Sequence, residues 1–98
     1  MTEQELLKAA KTWLRITTEA FDDEILQTIA AARLDLAAGG VVRIELGDEL
    51  IQQAVKLYLK AQFGYIDGEN KFAQAYEHLK AALALSGDYN GMGGAEHA

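Results

Sequence analysis

The 98-residue sequence contains no cysteine and no proline, and only 8% of its residues are aromatic. The absence of cysteine excludes a disulfide scaffold, a zinc site with thiolate ligands and a cysteine nucleophile. The absence of proline, together with 17 alanines, favours helices, because alanine is the best helix former and proline the worst. No apolar run approaches the roughly 18 residues of a membrane-spanning helix, so we expect no contact with a membrane.

Basic residues are also scarce. The chain has nine lysines and arginines and 15 aspartates and glutamates, which gives a net charge of -6 and a pI near 4.7. A protein that grips the nucleic-acid backbone needs a basic surface, so the charge argues against that class. A chain of this length buries only a thin core, and self-association would add to the buried area. The polar, acidic N-terminus does not resemble a signal peptide, so we expect the protein to be made in a cytoplasm and to work there or in something assembled there.

Apolar periodicity predicts an all-α domain of four helices. The first helix begins after Thr2, which has the spacing of a capping box with Glu5, and ends near Leu14. The second begins at Asp22, where a run of carboxylates suits the helix dipole, and ends at Gly39-Gly40.

The third helix follows Gly47-Asp48 and is apolar on nearly all sides, so we expect it to lie at the centre. The fourth runs from about Glu69 to Leu85. The inward positions of the four helices carry large apolar side chains that we expect to be mostly buried: Trp13, Ile25, Ile29, Leu36, Val55, Leu59, Leu79 and Leu83.

Two segments lie outside this pattern. Residues 41–46 alternate as a strand does, but no second strand is evident, so they form either an extended loop or a short strand that pairs with another chain. Their backbone groups have no evident partner within the chain. Residues 89–98 are rich in glycine, and we expect a flexible tail that is dispensable for folding, after a single domain over residues 1–88.

The sequence offers no catalytic constellation, so we expect a protein that is not an enzyme and that binds no metal and no cofactor. Ser86 is the only serine, and no histidine is positioned as its base. His78 has no ligand partner three or four residues away, and His97 lies in the tail. No phosphate-binding glycine motif lies between a strand and a helix.

A subunit interface is the functional surface that the residues do suggest. Helix two supplies one candidate patch, because its apolar surface is wider than one neighbour can cover, and the alternating residues 41–46 supply a second, different patch for a head-to-tail contact. We expect seven residues to form this interface: Leu26, Ala30, Arg33, Leu34, Val42, Ile44 and Glu45. Arg33 either extends to solvent or pairs with a carboxylate of a neighbouring chain, with Glu45 and Glu49 as candidates.

Four runs in a fixed order resemble one family over most of the chain, from about residue 5 to residue 85. They are Thr12-Trp13-Leu14-Arg15-Ile16, then Phe21-Asp22-Asp23-Glu24-Ile25-Leu26, then the alanine-rich residues 29–36, then residues 51–61 leading to Phe63-Gly64-Tyr65. The sequence is similar to the small head–tail connector proteins of long-tailed bacteriophages, also called head-completion or DNA-packaging adaptor proteins. The first two runs are the most specific part of the resemblance.

The resemblance implies a structural role in the virion, at the junction of head and tail, after assembly in the host cytoplasm. Such proteins form a ring of roughly twelve copies below the portal protein. The ring extends the channel for double-stranded DNA, which passes without sequence-specific binding, and docks the next tail-proximal protein, the head-closure protein. An acidic lumen suits a conduit through which DNA slides. The loop over residues 39–47 is short for a family in which a long channel-lining loop is expected.

Two alternatives come from other classes. Acyl carrier proteins are also small, acidic and helical. They need a serine at the start of a helix to carry the phosphopantetheine arm. The nearest candidate here is Gly47-Asp48-Glu49-Leu50, which has glutamate in the place of that serine. A helical DNA-binding or regulatory protein is disfavoured by the negative charge.

Overall fold

A computed structural model describes residues 2–63 and 71–91 of the chain. These residues form five helices, α1 (Glu3–Leu14), α2 (Asp22–Ala38), α3 (Glu49–Phe63), α4 (Lys71–Leu85) and α5 (Gly87–Asn90). No strand occurs among the described residues. The predicted all-α, four-helix domain is therefore confirmed, with α5 as a short addition that the sequence pattern did not indicate.

Side-chain caps explain where α1 and α3 begin. The hydroxyl of Thr2 accepts a hydrogen bond from the Glu5 N–H at 3.2 Å, and the Thr2 N–H donates to the Glu5 carboxylate at 3.0 Å. This is the predicted capping box, which satisfies N–H groups that the helix leaves free. Asp48 caps α3, because its carboxylate accepts from the N–H groups of Leu50 at 2.8 Å and Ile51 at 3.3 Å.

The start of α2 is built differently. Phe21 occupies the cap position and makes no side-chain capping bond, while the acidic residues fill the first turn as predicted. Asp22 is the first helical residue, and its carboxylate lies 2.7 Å from the ammonium group of Lys11 on α1. This ion pair joins the end of α1 to the beginning of α2.

The core centres on α3, which contacts α1, α2 and α4. Six of the eight predicted core residues are buried, and the other two, Trp13 and Leu79, are partly buried against the same cluster. The buried cluster consists of Leu6, Leu7, Ala10, Ile25, Ile29, Ala32, Leu36, Val41, Ile51, Ala54, Val55, Leu59, Tyr76 and Leu83. The expectation that the third helix is central is confirmed by these contacts.

A polar network fastens α4 to α2 at the edge of the core. The hydroxyl of the buried Tyr76 donates to the Asp35 carboxylate at 2.6 Å, and the ammonium group of Lys80 lies 3.0 Å from the same oxygen. The hydrogen bonds from Tyr76 and Lys80 lower the pKa of Asp35. Burial, together with the bond to that carboxylate, raises the pKa of Tyr76, so its hydroxyl stays protonated and donates.

Replacing Tyr76 with phenylalanine removes the hydroxyl and keeps the ring, so we expect the free energy of unfolding at pH 7 to fall by about 1 kcal/mol. Because the pKa of Asp35 is lower in the folded chain, the stability from this network is fully present above the ordinary carboxyl pKa of ~3.9 and is lost as the pH falls below it. Urea unfolding of both proteins at pH 7 and pH 3 should therefore show a smaller difference at pH 3. An equal difference at both pH values would contradict the charged hydrogen bond.

Candidate assembly surface

The side of α2 that faces away from the core forms an open groove with the loop that follows the helix. Ala30, Arg33 and Leu34 line it from α2, and Val42 and Ile44 line it from the loop. We call this surface the α2 groove; its volume is about 500 Å³. Leu34 is 73% exposed and Val42 is 67% exposed, so two large apolar side chains face solvent in one concave surface. Clustered exposed apolar side chains of this kind are typical of protein interaction sites.

The loop holds its position because it is anchored to the end of α2. Gly40 has a φ of +101°, a conformation that glycine adopts readily, and it turns the chain back over the helix. The N–H of Val41 then donates to the Leu36 carbonyl at 2.9 Å, and the Val41 side chain is fully buried. The buried Val41 places its exposed neighbour Val42 at the rim of the α2 groove.

The backbone of this loop has partners within the chain, which corrects the expectation that it has none. The N–H groups of Val42 and Arg43 both donate to the carbonyl of Tyr89, at 2.7 and 3.0 Å. The segment is an extended loop, and these two groups need no strand from another chain. No pattern in the sequence indicates this pairing, because Tyr89 is distant along the chain and lies in a glycine-rich segment.

Tyr89 is also held through its side chain. Its hydroxyl lies 2.9 and 3.0 Å from the two carboxylate oxygens of Asp48, and its ring packs against the core. Burial would raise the pKa of Asp48, but the hydrogen bonds from Tyr89 and from the first N–H groups of α3 lower it. Asp48 therefore both caps α3 and holds the C-terminal segment.

The first two residues of the predicted flexible tail are thus part of a helix. Tyr89 and Asn90 belong to α5, which Ser86 caps by accepting a hydrogen bond from the Asp88 N–H at 3.3 Å. The helix α4 ends at Leu85, as predicted, but the chain forms another helical turn at once. Residues 92–98 lie outside the described residues, and the division into a domain over 1–88 and a tail stays a prediction.

Two truncated chains distinguish the contribution of α5 to stability from that of the residues after Gly91. A chain that ends at Gly91 should keep its melting temperature within about a degree or two, because the removed residues have no apolar periodicity to offset their ordering entropy. A chain that ends at Asp88 also loses the hydrogen bonds and ring contacts of Tyr89, so its melting temperature should fall by at least about 5 °C. Thermal unfolding followed by circular dichroism measures both.

A matched variant separates the stability that the side chain of Tyr89 contributes from the stability that its backbone carbonyl contributes. Tyr89→Phe keeps the ring and the carbonyl that binds the loop and loses only the bonds to Asp48. Its melting temperature should lie between those of the two truncated chains. If both truncated chains melt together with the full chain, the contacts of Tyr89 do not stabilise the fold.

Five of the seven predicted interface residues line the α2 groove together. Leu26 does not line it, because it is partly buried against the core, and Glu45 is exposed directly after Ile44. The two segments proposed from the sequence, helix two and the loop, therefore form one continuous surface and not two separate ones. Their role in assembly stays a prediction.

Arg33 has a neighbour within its own chain. Its guanidinium lies 3.8 Å from the Glu3 carboxylate at the start of α1, and both side chains are substantially exposed. An exposed ion pair at this distance contributes little stability, so the guanidinium can still pair with another chain. Pairing with Glu45 or Glu49 of a neighbour stays a prediction.

The described residues provide little for other chemistry. Among residues 2–63 and 71–91, no group of three or more histidine, cysteine, aspartate or glutamate side chains could hold a metal ion. His78 lies exposed on α4, and Ser86 serves as a helix cap. No helix in this part of the chain is both long enough and apolar enough to cross a membrane.

An exposed apolar groove on a small helical domain is typical of proteins that assemble with other proteins. The sequence profile of the family described as phage connector protein matches residues 6–90, and the chain belongs to this family. The match confirms the resemblance found in the sequence, and it favours a connector over the carrier and DNA-binding alternatives. No curated protein and no solved structure matches the chain. The family is structural, and membership implies a virion component that interacts with other head and tail proteins.

Proposed function

We propose that the chain is a subunit of a ring at the junction of phage head and tail, below the portal protein. The ring extends the DNA channel and offers its far side to the next tail-proximal protein. Membership of the phage connector family supports the location. The α2 groove supports the self-association.

The observation that carries the proposal is the exposure of Leu34 and Val42 in one groove. Burying a side chain of this kind stabilises a complex by about 1.5–3 kcal/mol. A ring repeats that contact at every seam, so a modest interface suffices for a closed assembly. The negative net charge agrees with a lumen through which double-stranded DNA slides without sequence-specific binding.

Charge reversal at Arg33 tests whether this groove lies at a seam. Arg33→Glu should weaken assembly by about tenfold or more, because it places a carboxylate where we propose that a cation meets an acidic neighbour. The fold should be unchanged, since only an exposed ion pair is lost. Circular dichroism measures the fold, and native mass spectrometry in the presence of the portal complex measures the assembly.

The control is Glu3→Gln, which removes the intrachain partner of Arg33 and leaves the α2 groove untouched. It should assemble as the wild type does. If Arg33→Glu assembles equally well, the seam lies elsewhere. If the wild type itself stays monomeric beside the portal complex, the proposed ring is wrong.

A further inference from the structure

The α2 groove combines exposed apolar side chains with positive charge. Leu34 and Val42 are its exposed apolar side chains. Arg33 lines the groove, and the exposed Arg43 lies between the two loop residues that line it. Arg43 forms no ion pair with another described residue, and Arg33 has only its exposed contact with Glu3. A partner that fits this groove therefore carries an apolar side chain beside uncompensated carboxylates.

The segment that leads into α2 has this combination. Phe21 is 44% exposed and makes no side-chain capping bond. The cap position of a helix favours small polar residues, so the local structure gives no reason for a phenylalanine there. Glu19, Asp23 and Glu24 are exposed beside it, and none of the three forms an ion pair with another described residue. We call these four residues the Phe21 patch.

The Phe21 patch and the α2 groove suit a head-to-tail contact, which needs two different surfaces on each chain. They share no residue and lie at opposite ends of α2. Phe21 and Leu34 are 13 positions apart, about 20 Å along the helix axis. One chain can therefore offer its patch to one neighbour and its groove to the other.

We propose that the α2 groove of one copy receives the Phe21 patch of the next copy. The ring of Phe21 covers the exposed apolar side chains of the groove. Asp23 and Glu24 pair across the seam with the two arginines at the groove. The partner is thus a second copy of this chain. This inference rests on the proposed ring and identifies the surface that meets the groove.

The glutamates first considered as partners of Arg33 suit a ring less well. Glu45 directly follows the groove residue Ile44, and Glu49 begins α3 four residues later. Their surface adjoins the groove of their own chain, whereas a head-to-tail contact brings Arg33 to a different surface. Charge reversal at these two glutamates therefore serves as a control.

A second basic surface, on α1, fits the Phe21 patch less well than the α2 groove does. Lys8 and Arg15 are exposed there and form no ion pair with another described residue. The large apolar residues that line this surface are Leu7, which is buried, and Ile16, which is half-buried. Neither offers an exposed apolar side chain for Phe21 to cover.

The variant Phe21→Ser tests the apolar part of the contact. It removes an exposed ring and no capping bond, so circular dichroism should show an unchanged fold. Assembly should weaken by about tenfold or more, because the ring that covers the groove is lost. The matched control is Phe72→Ser, which removes a ring of similar exposure on α4 and should assemble as the wild type does.

Charge exchange tests the polar part. One chain carries Asp23→Lys with Glu24→Lys, and another carries Arg33→Glu with Arg43→Glu. Each alone should assemble at least about tenfold more weakly than the wild type, since like charges meet at every seam. An equimolar mixture should recover rings of alternating chains, because each reversed surface then meets its reversed complement. Native mass spectrometry beside the portal complex measures each chain and the mixture.

The control for charge is the chain with Glu45→Lys and Glu49→Lys. It has nearly the same change in composition as the reversed Phe21 patch, but outside that patch. It should assemble at least as well as the wild type. If this control loses its rings and the reversed patch keeps them, the acidic surface at the seam is the one around Glu45, and the inference is wrong.

The remaining outcomes separate the inference from the proposed function. A wild-type chain that forms no ring refutes the proposed function and this inference with it. A wild type that forms rings, together with Phe21→Ser and reversed-patch chains that form them equally well, overturns only the inference. Rings of Phe21→Ser that form normally but no longer bind the portal complex would also overturn it, since the patch would then contact the portal and not a second copy.

Discussion

Replacing Leu59 with alanine is expected to lower the free energy of unfolding by about 2–5 kcal/mol. Leu59 lies on the central helix α3, is fully buried and belongs to the core cluster. The substitution removes apolar contacts and leaves a cavity in a core that is thin for a chain of this length. In a domain of this size the melting temperature should fall by at least about 10 °C, which thermal unfolding would show.

Leu50→Ala is the matched control on the same helix. Leu50 is 45% exposed, so its truncation should cost less than about 1 kcal/mol. If the Leu59 variant melts with the parent chain, α3 is not the centre of the core. If the Leu50 variant loses as much stability as the Leu59 variant, burial on α3 is assigned to the wrong face.

The second large effect concerns assembly. Leu34→Glu should weaken each subunit contact by about 100-fold or more while the monomer stays folded, because a carboxylate would have to be buried where a leucine was. Leu34 is 73% exposed in the single chain, so the fold does not depend on its contacts. Native mass spectrometry beside the portal complex should show monomers of unchanged helicity.

Leu85→Glu provides the matched control for this variant. Leu85 is 85% exposed and does not line the α2 groove. The same change of charge and polarity there should leave assembly intact. If both variants assemble normally, the α2 groove is not a seam; if both fail, the loss reflects added negative charge and not the position of Leu34.

The sequence predicted the local structure well because the signals are local. The capping box of Thr2 and Glu5 and the cap at Asp48 lie within four residues of the groups they satisfy. The apolar period places Val55 and Leu59 correctly for the same reason. The outward residues of α2 follow from that period, so most of the α2 groove could be named in advance.

The contacts that join distant segments could not be predicted in this way. Tyr89 binds Val42 through its carbonyl and Asp48 through its hydroxyl, and no spacing in the sequence relates these residues. The bonds to Tyr89, together with the anchor of Val41 at the end of α2, hold the loop beside helix two. Both the loop and the segment around Tyr89 are rich in glycine, which is typical of unanchored chain. Their composition therefore did not indicate that Tyr89 binds the loop.

The mass of the wild-type assembly formed beside the purified portal complex tests the central claim most directly. A portal-bound ring of roughly twelve chains, seen by native mass spectrometry, is the result that the proposed function predicts. The Leu34→Glu chain under identical conditions should leave the portal bare. A wild-type chain that stays monomeric at high concentration with the portal present would contradict the proposed function.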